Sequence, residues 1–406
     1  MMSEPWKTDS WWVSPFNYLQ EVRAQMPDLP DRVLFHDATL RDGEQTPGVV
    51  FRREEKVRIA TMLDEAGVDR IEVALPAVSA EDLEALRDVV ALRPKAEVFA
   101  FCRAMKSDID IASECGVDGI ILEFPLGKPR LDYQFKKWSK DDVMKRMLDA
   151  LNYASTKKFK VALFPMEATR AEPDFFDRFL ESLTKNALPY SVVLADTTGC
   201  LIPQAAMYMV KRIKEVANTV VEVHTHSDFG LGVSTALAAV VAGAEVVHTS
   251  VGGLGERTGN TPLEEIAVSL KALLNIDVGI DFSKLTRLGR EVADMAGIRF
   301  SLSKPVIGER TFTRESGMGI DFIKEYPLVL FALNPAFVGQ EPRYVIGKKS
   351  GLASIHMKLK DLGLPAFSDE QTLEILNRVK AKGIQKKALL SDAEFRDIVS
   401  GIEKKA

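Results

Sequence analysis

The chain has 406 residues, of which 46% are hydrophobic and 27% charged, with a formal net charge of −5. That is the composition of a soluble globular protein of two or three domains, or one large domain with an appendage. It excludes a disordered chain and gives no basic face for nucleic acid, and no apolar run approaches the roughly 18 residues of a membrane span. Three cysteines are too few for a disulfide framework, and the N-terminus lacks the apolar stretch of a secretory signal, so a cytoplasmic location is expected.

Residues 1–30 read as an N-terminal extension. Its aromatics Trp6, Trp11, Trp12, Phe16 and Tyr18 suit either a subunit interface or packing on the chain itself. From residue 31, short β-branched apolar runs recur at 33–36, 70–74, 97–101, 119–124, 161–164, 191–195, 220–224 and 245–250. Amphipathic patterns at 53–66, 80–92, 140–157, 174–187, 203–217 and 231–242 fall between them. Buried parallel strands read as near-continuous apolar runs, and eight βα units predict a (β/α)8 TIM barrel over residues 31–280 rather than an open doubly wound sheet. Residues 281–406 read as a smaller, mainly helical subdomain. Helical patterns at 285–296, 369–381 and 392–404 flank a stretch rich in proline and glycine.

Barrel active sites lie at the C-terminal ends of the strands. Reading past each run gives Arg41 and Asp42, Glu72, Arg103, Glu123, Glu167, Thr197, His224 with His226, and a loop ending at Asn260. Residues i and i+2 of a strand share a face, so His224 and His226 can bind one metal. Asp42 is the best third ligand, and Asn260 could add a neutral oxygen. Such a set, with positions left open, suits Zn, Mn, Co or Mg acting as a Lewis acid. Arg41 beside it could stabilise a developing oxyanion, or simply pair with Asp42 to close a loop. The glycine-rich loop 251–260 is a candidate anion site.

Three segments resemble one family. They are Thr39-Leu-Arg-Asp-Gly-Glu-Gln45, Glu222-Val-His-Thr-His-Ser-Asp-Phe-Gly-Leu-Gly232 and Gly253-Leu-Gly-Glu-Arg-Thr-Gly-Asn-Thr-Pro-Leu-Glu264. They are similar to motifs of the metal-dependent barrel acyltransferases and lyases, which include isopropylmalate, homocitrate and citramalate synthases and hydroxymethylglutaryl-CoA lyase. The resemblance implies that Asp42, His224 and His226 ligate a divalent metal, with Asn260 beside them. Arg41 would be catalytic, with Glu72 and Glu222 lining or orienting the site. Gln45 and Thr197 would help hold the oxo-acid carboxylate; Arg103, from its place at a strand end, is a further candidate to bind substrate. The implied reaction is a Claisen-type condensation of an acyl-CoA, acetyl-CoA in the first instance, with a 2-oxo acid. A homodimer is implied. The alternative is a metal-dependent lyase that splits a 3-hydroxyacyl-CoA or related hydroxy acid. A cysteine marks the glycine loop of the lyases; here no cysteine follows Cys200, which favours the synthase branch. With the chain ending at Ala406, the separate feedback domain of some synthases is not expected.

The sequence also departs from that family. Two histidines usual in the helical region are replaced in Phe312-Thr-Arg-Glu-Ser-Gly-Met-Gly319, where Arg314 and Gly319 stand. Arg314 could bind a substrate carboxylate or a CoA phosphate, or form a surface salt bridge. Phe164-Pro-Met-Glu167 and Glu123-Phe-Pro-Leu126 replace more polar strand ends, which implies an unusual substrate side chain.

Overall fold

A computed structural model describes residues 4–186 and 188–403. Eight parallel strands form a closed barrel in sequence order: β1 Leu34–Asp37, β2 Arg70–Ala74, β3 Glu97–Arg103, β4 Gly119–Pro125, β5 Lys160–Met166, β6 Ser191–Asp196, β7 Val220–Thr225 and β8 Val246–Thr249. Closure is made by β1 on β8, which places His36 opposite His248. The strands are buried on nearly every residue, because helices cover the outer face and side chains fill the inner one.

The expected helices at 53–66, 80–92 and 203–217 are found with those bounds. The helix expected over 140–157 ends at Ala154, and the next spans Pro173–Lys185; Ala187 lies outside the described residues. Two barrel helices were not anticipated. In Lys106–Cys115, Ile109 and Ile111 alternate with aspartates and imitate a strand pattern. Leu263–Leu274 is apolar almost all round, which weakens its periodic signal.

The chain divides into two compact units, Ser14–Phe300 and Met1–Val13 with Ser301–Ala406. Leu285–Met295, beyond the expected boundary at 281, packs against Arg53–Ala66 of the barrel. The aromatic extension is shared between the units. Tyr18 donates its hydroxyl to Ala272 O on a barrel helix at 2.9 Å. Trp11 bridges to Leu333 and meets Phe337 edge-on at 5.5 Å, inside the second unit.

In that second unit, helices Leu352–Asp361, Asp369–Lys386 and Asp392–Glu403 enclose a core of Ile355, Leu359, Ile375, Val379, Phe395 and Val399. Lys404, the expected end of the last helix, lies outside the described residues. A two-stranded parallel ladder, β9 Thr313–Arg314 with β10 Arg343–Tyr344, adds a strand element that the sequence did not signal.

Candidate active site

Each barrel strand delivers its last residues to one rim. After β1 the chain turns sharply, with the Asp42 amide donating to Ala38 O at 2.8 Å, and this turn places Arg41 and Asp42 side by side. At the end of β7, His224 and His226 face the same way, with their Nε2 atoms 3.3 Å apart. Asp42 Oδ2 lies 3.2 Å from His224 Nε2 and 3.6 Å from His226 Nε2. All three side chains are buried. Two ligand atoms that share one ion at about 2.0–2.2 Å lie near this separation.

Asn260 joins the group through a backbone bridge to His226. The loop that carries it is shaped by glycine. Gly259 has φ +81°, and a Cβ there would stand 1.8 Å from Gly253 O. The expected anion cradle is not formed over the first half of the loop. Val251 N donates to Thr39 Oγ1, Gly252 N to Glu264 Oε2 and Gly255 N to Thr46 Oγ1. The loop serves instead to hold Asn260, whose Nδ2 donates to Leu254 O at 3.0 Å.

Two oxygens in this cluster, Asp42 Oδ1 and Asn260 Oδ1, are buried without a hydrogen-bond partner among the described residues. Buried polar atoms are rarely left so, because each costs about 1–3 kcal/mol. Two imidazoles, a carboxylate and an amide oxygen around this space fit a divalent cation. Burial pushes the Asp42 carboxyl up, but Arg41 and the two histidines pull it well below the carboxylate range. Burial and the neighbouring His224 hold His226 down at about 4, so it is neutral at pH 7, the form in which an imidazole can bind a cation.

Arg41 is held on three sides. Its Nε donates to Glu72 Oε1, its Nη1 lies 3.8 Å from Asp42 Oδ2, and its guanidinium sits 4.1 Å above the Phe101 ring. Burial alone would raise the Glu72 pKa; Arg41 and His36 outweigh it and bring it to about 2. The guanidinium is thus fixed and charged, and its buried Nη2 has no partner among the described residues.

Glu72 and Glu222 lie behind the site, not on its wall. Glu72 Oε2 accepts from His36 Nε2 at 2.9 Å. Glu222 accepts from Arg70 Nη1 at 2.7 Å, Ser191 Oγ at 2.6 Å and His248 Nε2 at 2.7 Å. His248 Nδ1 is 3.3 Å from His224 Nδ1, and the His36 and His248 rings stack at 4.2 Å. With His224 Nε2 as ligand, its proton sits on Nδ1 and donates to His248, which donates in turn to Glu222. This single direction of donation fixes the tautomers. His36, His248 and Arg70 were not singled out from sequence; the available signal was that polar residues interrupt the apolar runs of β1, β2 and β8.

Arg41, Asp42, Gln45, Arg103, Thr197, His224 and His226 line one cavity of about 450 Å³. Gln45 Oε1 is 3.5 Å from Arg41 Nη1, and Thr197 Oγ1 accepts from Glu167 N. Arg103 reaches the wall, but its guanidinium is clamped by both oxygens of Asp108. Leu75, Phe101, Phe164 and Met166 make the apolar side that the sequence implied. Lys56, Arg130 and Glu123 also line it; of these the sequence pointed only to Glu123, as a polar strand end. Arg314 belongs to the second unit, where its Nε is buried without a partner among the described residues.

A family model described as HMGL-like matches residues 32–292. Homocitrate synthase AksA of Methanopyrus kandleri is 36% identical over 385 residues, covering 95% of this chain and 96% of that protein. 2-Isopropylmalate synthase of Methanocaldococcus jannaschii is 37% identical over 387 residues, covering 93% and 74%. Among solved structures, hydroxymethylglutaryl-CoA lyase from Pseudomonas aeruginosa shares the fold, with a TM-score of 0.59 at 22% identity over 67% of this chain and 95% of that one.

Proposed function

The chain belongs to the HMGL-like family, and from that premise we propose that it condenses an acyl-CoA, acetyl-CoA in the first instance, with a 2-oxo acid. The products are a 2-substituted malate-type acid and free CoA. The relatives named homocitrate synthase and 2-isopropylmalate synthase support this, since their names are those of hydroxy acids of that type. The observation that carries the reading is the fixed Arg41 guanidinium beside Asp42, His224 and His226, in one cavity with two unpartnered buried oxygens.

The atoms balance as follows. The methyl group of the thioester loses a proton, and its carbon bonds to the oxo carbon. The oxo oxygen ends as a hydroxyl. Water cleaves the thioester to a carboxylate and the CoA thiol. A divalent ion (Zn, Mn, Mg or Co) would be held by Asp42, His224 and His226 with Asn260, and it supplies Lewis-acid polarisation of the oxo acid when bound. Arg41 stabilises the charge that develops on the thioester oxygen, because its charge is already aimed and needs no reorganisation. Gln45 and Thr197 hold the oxo-acid carboxylate, with Arg103 at the rim. Glu72 and Glu222 orient Arg41 and His224. Arg314 is assigned to an anionic group of the substrates. The protein is proposed to act in the cytoplasm as a homodimer. In support, the three cysteines are free, no described helix is long and apolar enough to cross a membrane, and Trp12 and Phe16 are exposed.

The test is thiol release from acetyl-CoA by metal-loaded protein across 2-oxo acids from glyoxylate to bulky apolar ones. Release that requires one oxo acid and Arg41 is expected. No release with any of them, or equal release by Arg41→Ala, contradicts the proposal.

A further inference from the structure

Five carboxylates line the cavity: Asp42, Glu44, Asp82, Glu123 and Glu256. Asp42 belongs to the metal cluster. Glu44 and Asp82 both pair with Lys56, at 2.6 and 2.5 Å. Glu256 pairs with Arg257 at 2.9 Å. Glu123 differs: among the described residues no hydrogen bond or ion pair engages its carboxylate. It stands near the end of β4, in register with Arg103 of β3 and Phe164 of β5, and both of those also face the cavity. Glu167 is no substitute, since Arg130 and Arg170 hold its Oε1.

We propose that Glu123 is the base that removes the methyl proton of the acyl thioester. This rests on the condensation reading above. The C–H bond breaks, the proton passes to a Glu123 carboxylate oxygen, and the electron pair delocalises toward the thioester oxygen, where Arg41 stabilises it. The protonated Glu123 then returns its proton to the oxygen that becomes the hydroxyl, or to solvent. Burial pushes the Glu123 carboxyl up, and the charges of Glu72 and Asp42 add to that; Arg41 and Arg130 oppose it. A carboxylate raised in this way is a stronger base than one in water. Arg41 and Asp42 after β1, Glu72 of β2, Arg103 of β3 and Arg130 after β4 are charged groups whose fields reach it.

Glu123→Gln keeps the shape and removes the basicity. Turnover is expected to fall about 100-fold or more, with bound metal unchanged. Wild-type protein should also exchange the acetyl-CoA methyl protons with D2O when a 2-hydroxy acid replaces the oxo acid, and the glutamine variant should not. Glu123→Ala should regain turnover with added formate, a rescue that a structural role would not produce. Equal exchange or turnover in Glu123→Gln overturns the proposal, as does failure of formate to rescue folded, metal-loaded Glu123→Ala. An altered oxo-acid preference with undiminished turnover also overturns it and makes Glu123 a specificity residue. A wild-type protein silent with every oxo acid removes the condensation itself, whereas an active wild type with an equally active glutamine variant removes Glu123 alone.

Discussion

Two clusters of buried histidine and carboxylate share the barrel interior, Asp42–His224–His226 and His36–Glu72–His248. Their residue types are alike, yet their bonding differs. In the second, Glu72 is taken by Arg41 and His36, and His248 by His224 and Glu222. One nitrogen, His36 Nδ1, is left over. In the first, Asp42 Oδ1, His226 Nδ1 and the adjacent Asn260 Oδ1 have no partner among the described residues. A closed network holds a geometry, whereas an open one is a place for a ligand. Histidine and carboxylate in proximity do not define a metal site; open valences do.

The largest effect should come from the open cluster. Asp42→Ala and His224→Ala are each expected to lose bound metal, measured by elemental analysis, and to fall to background turnover. Retained metal in both variants would erase the distinction between the clusters. Next comes Arg41→Ala, which should keep the metal and lose about 10²–10³-fold in turnover, as for other oxyanion-stabilising groups.

Glu222→Gln tests the closed network. It removes the nearer carboxylate from the buried Arg70 guanidinium and leaves only the partly exposed Glu97 at 3.4 Å, so urea unfolding should show a loss approaching about 3–5 kcal/mol. Metal affinity should weaken about 10–100-fold, since His248 loses its anchor. Unchanged affinity would mean that the two clusters are not coupled. The smallest effect is one of pH. Burial holds His248 down at about 4, against about 6.5 when unfolded. Unfolding therefore takes up a proton between those values, and metal-free protein should lose stability as pH falls from about 6.5 to about 4. His248→Gln should show a shallower decline over that window.

The barrel was legible because parallel strands covered on both faces must be apolar throughout, and eight such runs are hard to produce otherwise. Strand ends were less so. Val33 is as buried as Phe35, but its amide donates to Asp277 O in place of a strand partner, and no composition rule separates the two. The open cluster was legible because His224 and His226 are local, two residues apart. The closed network was not, because its pairings are made by barrel closure. His36 meets His248 across the β1–β8 seam, and Arg70 meets Glu222 across 152 residues. Glu123 was read as a strand end, but that it stands unpaired beside Glu44, Asp82 and Glu256, each held by a lysine or arginine, is a property of the assembled cavity.

Where a metal binds is what separates the two clusters most directly. Anomalous diffraction from crystals of the zinc- or cobalt-loaded protein would show it directly. One strong peak is expected, bonded to Asp42, His224 and His226, with Asn260 beside it and no peak among His36, Glu72 and His248. A peak on that second trio, or none at the first, would contradict it.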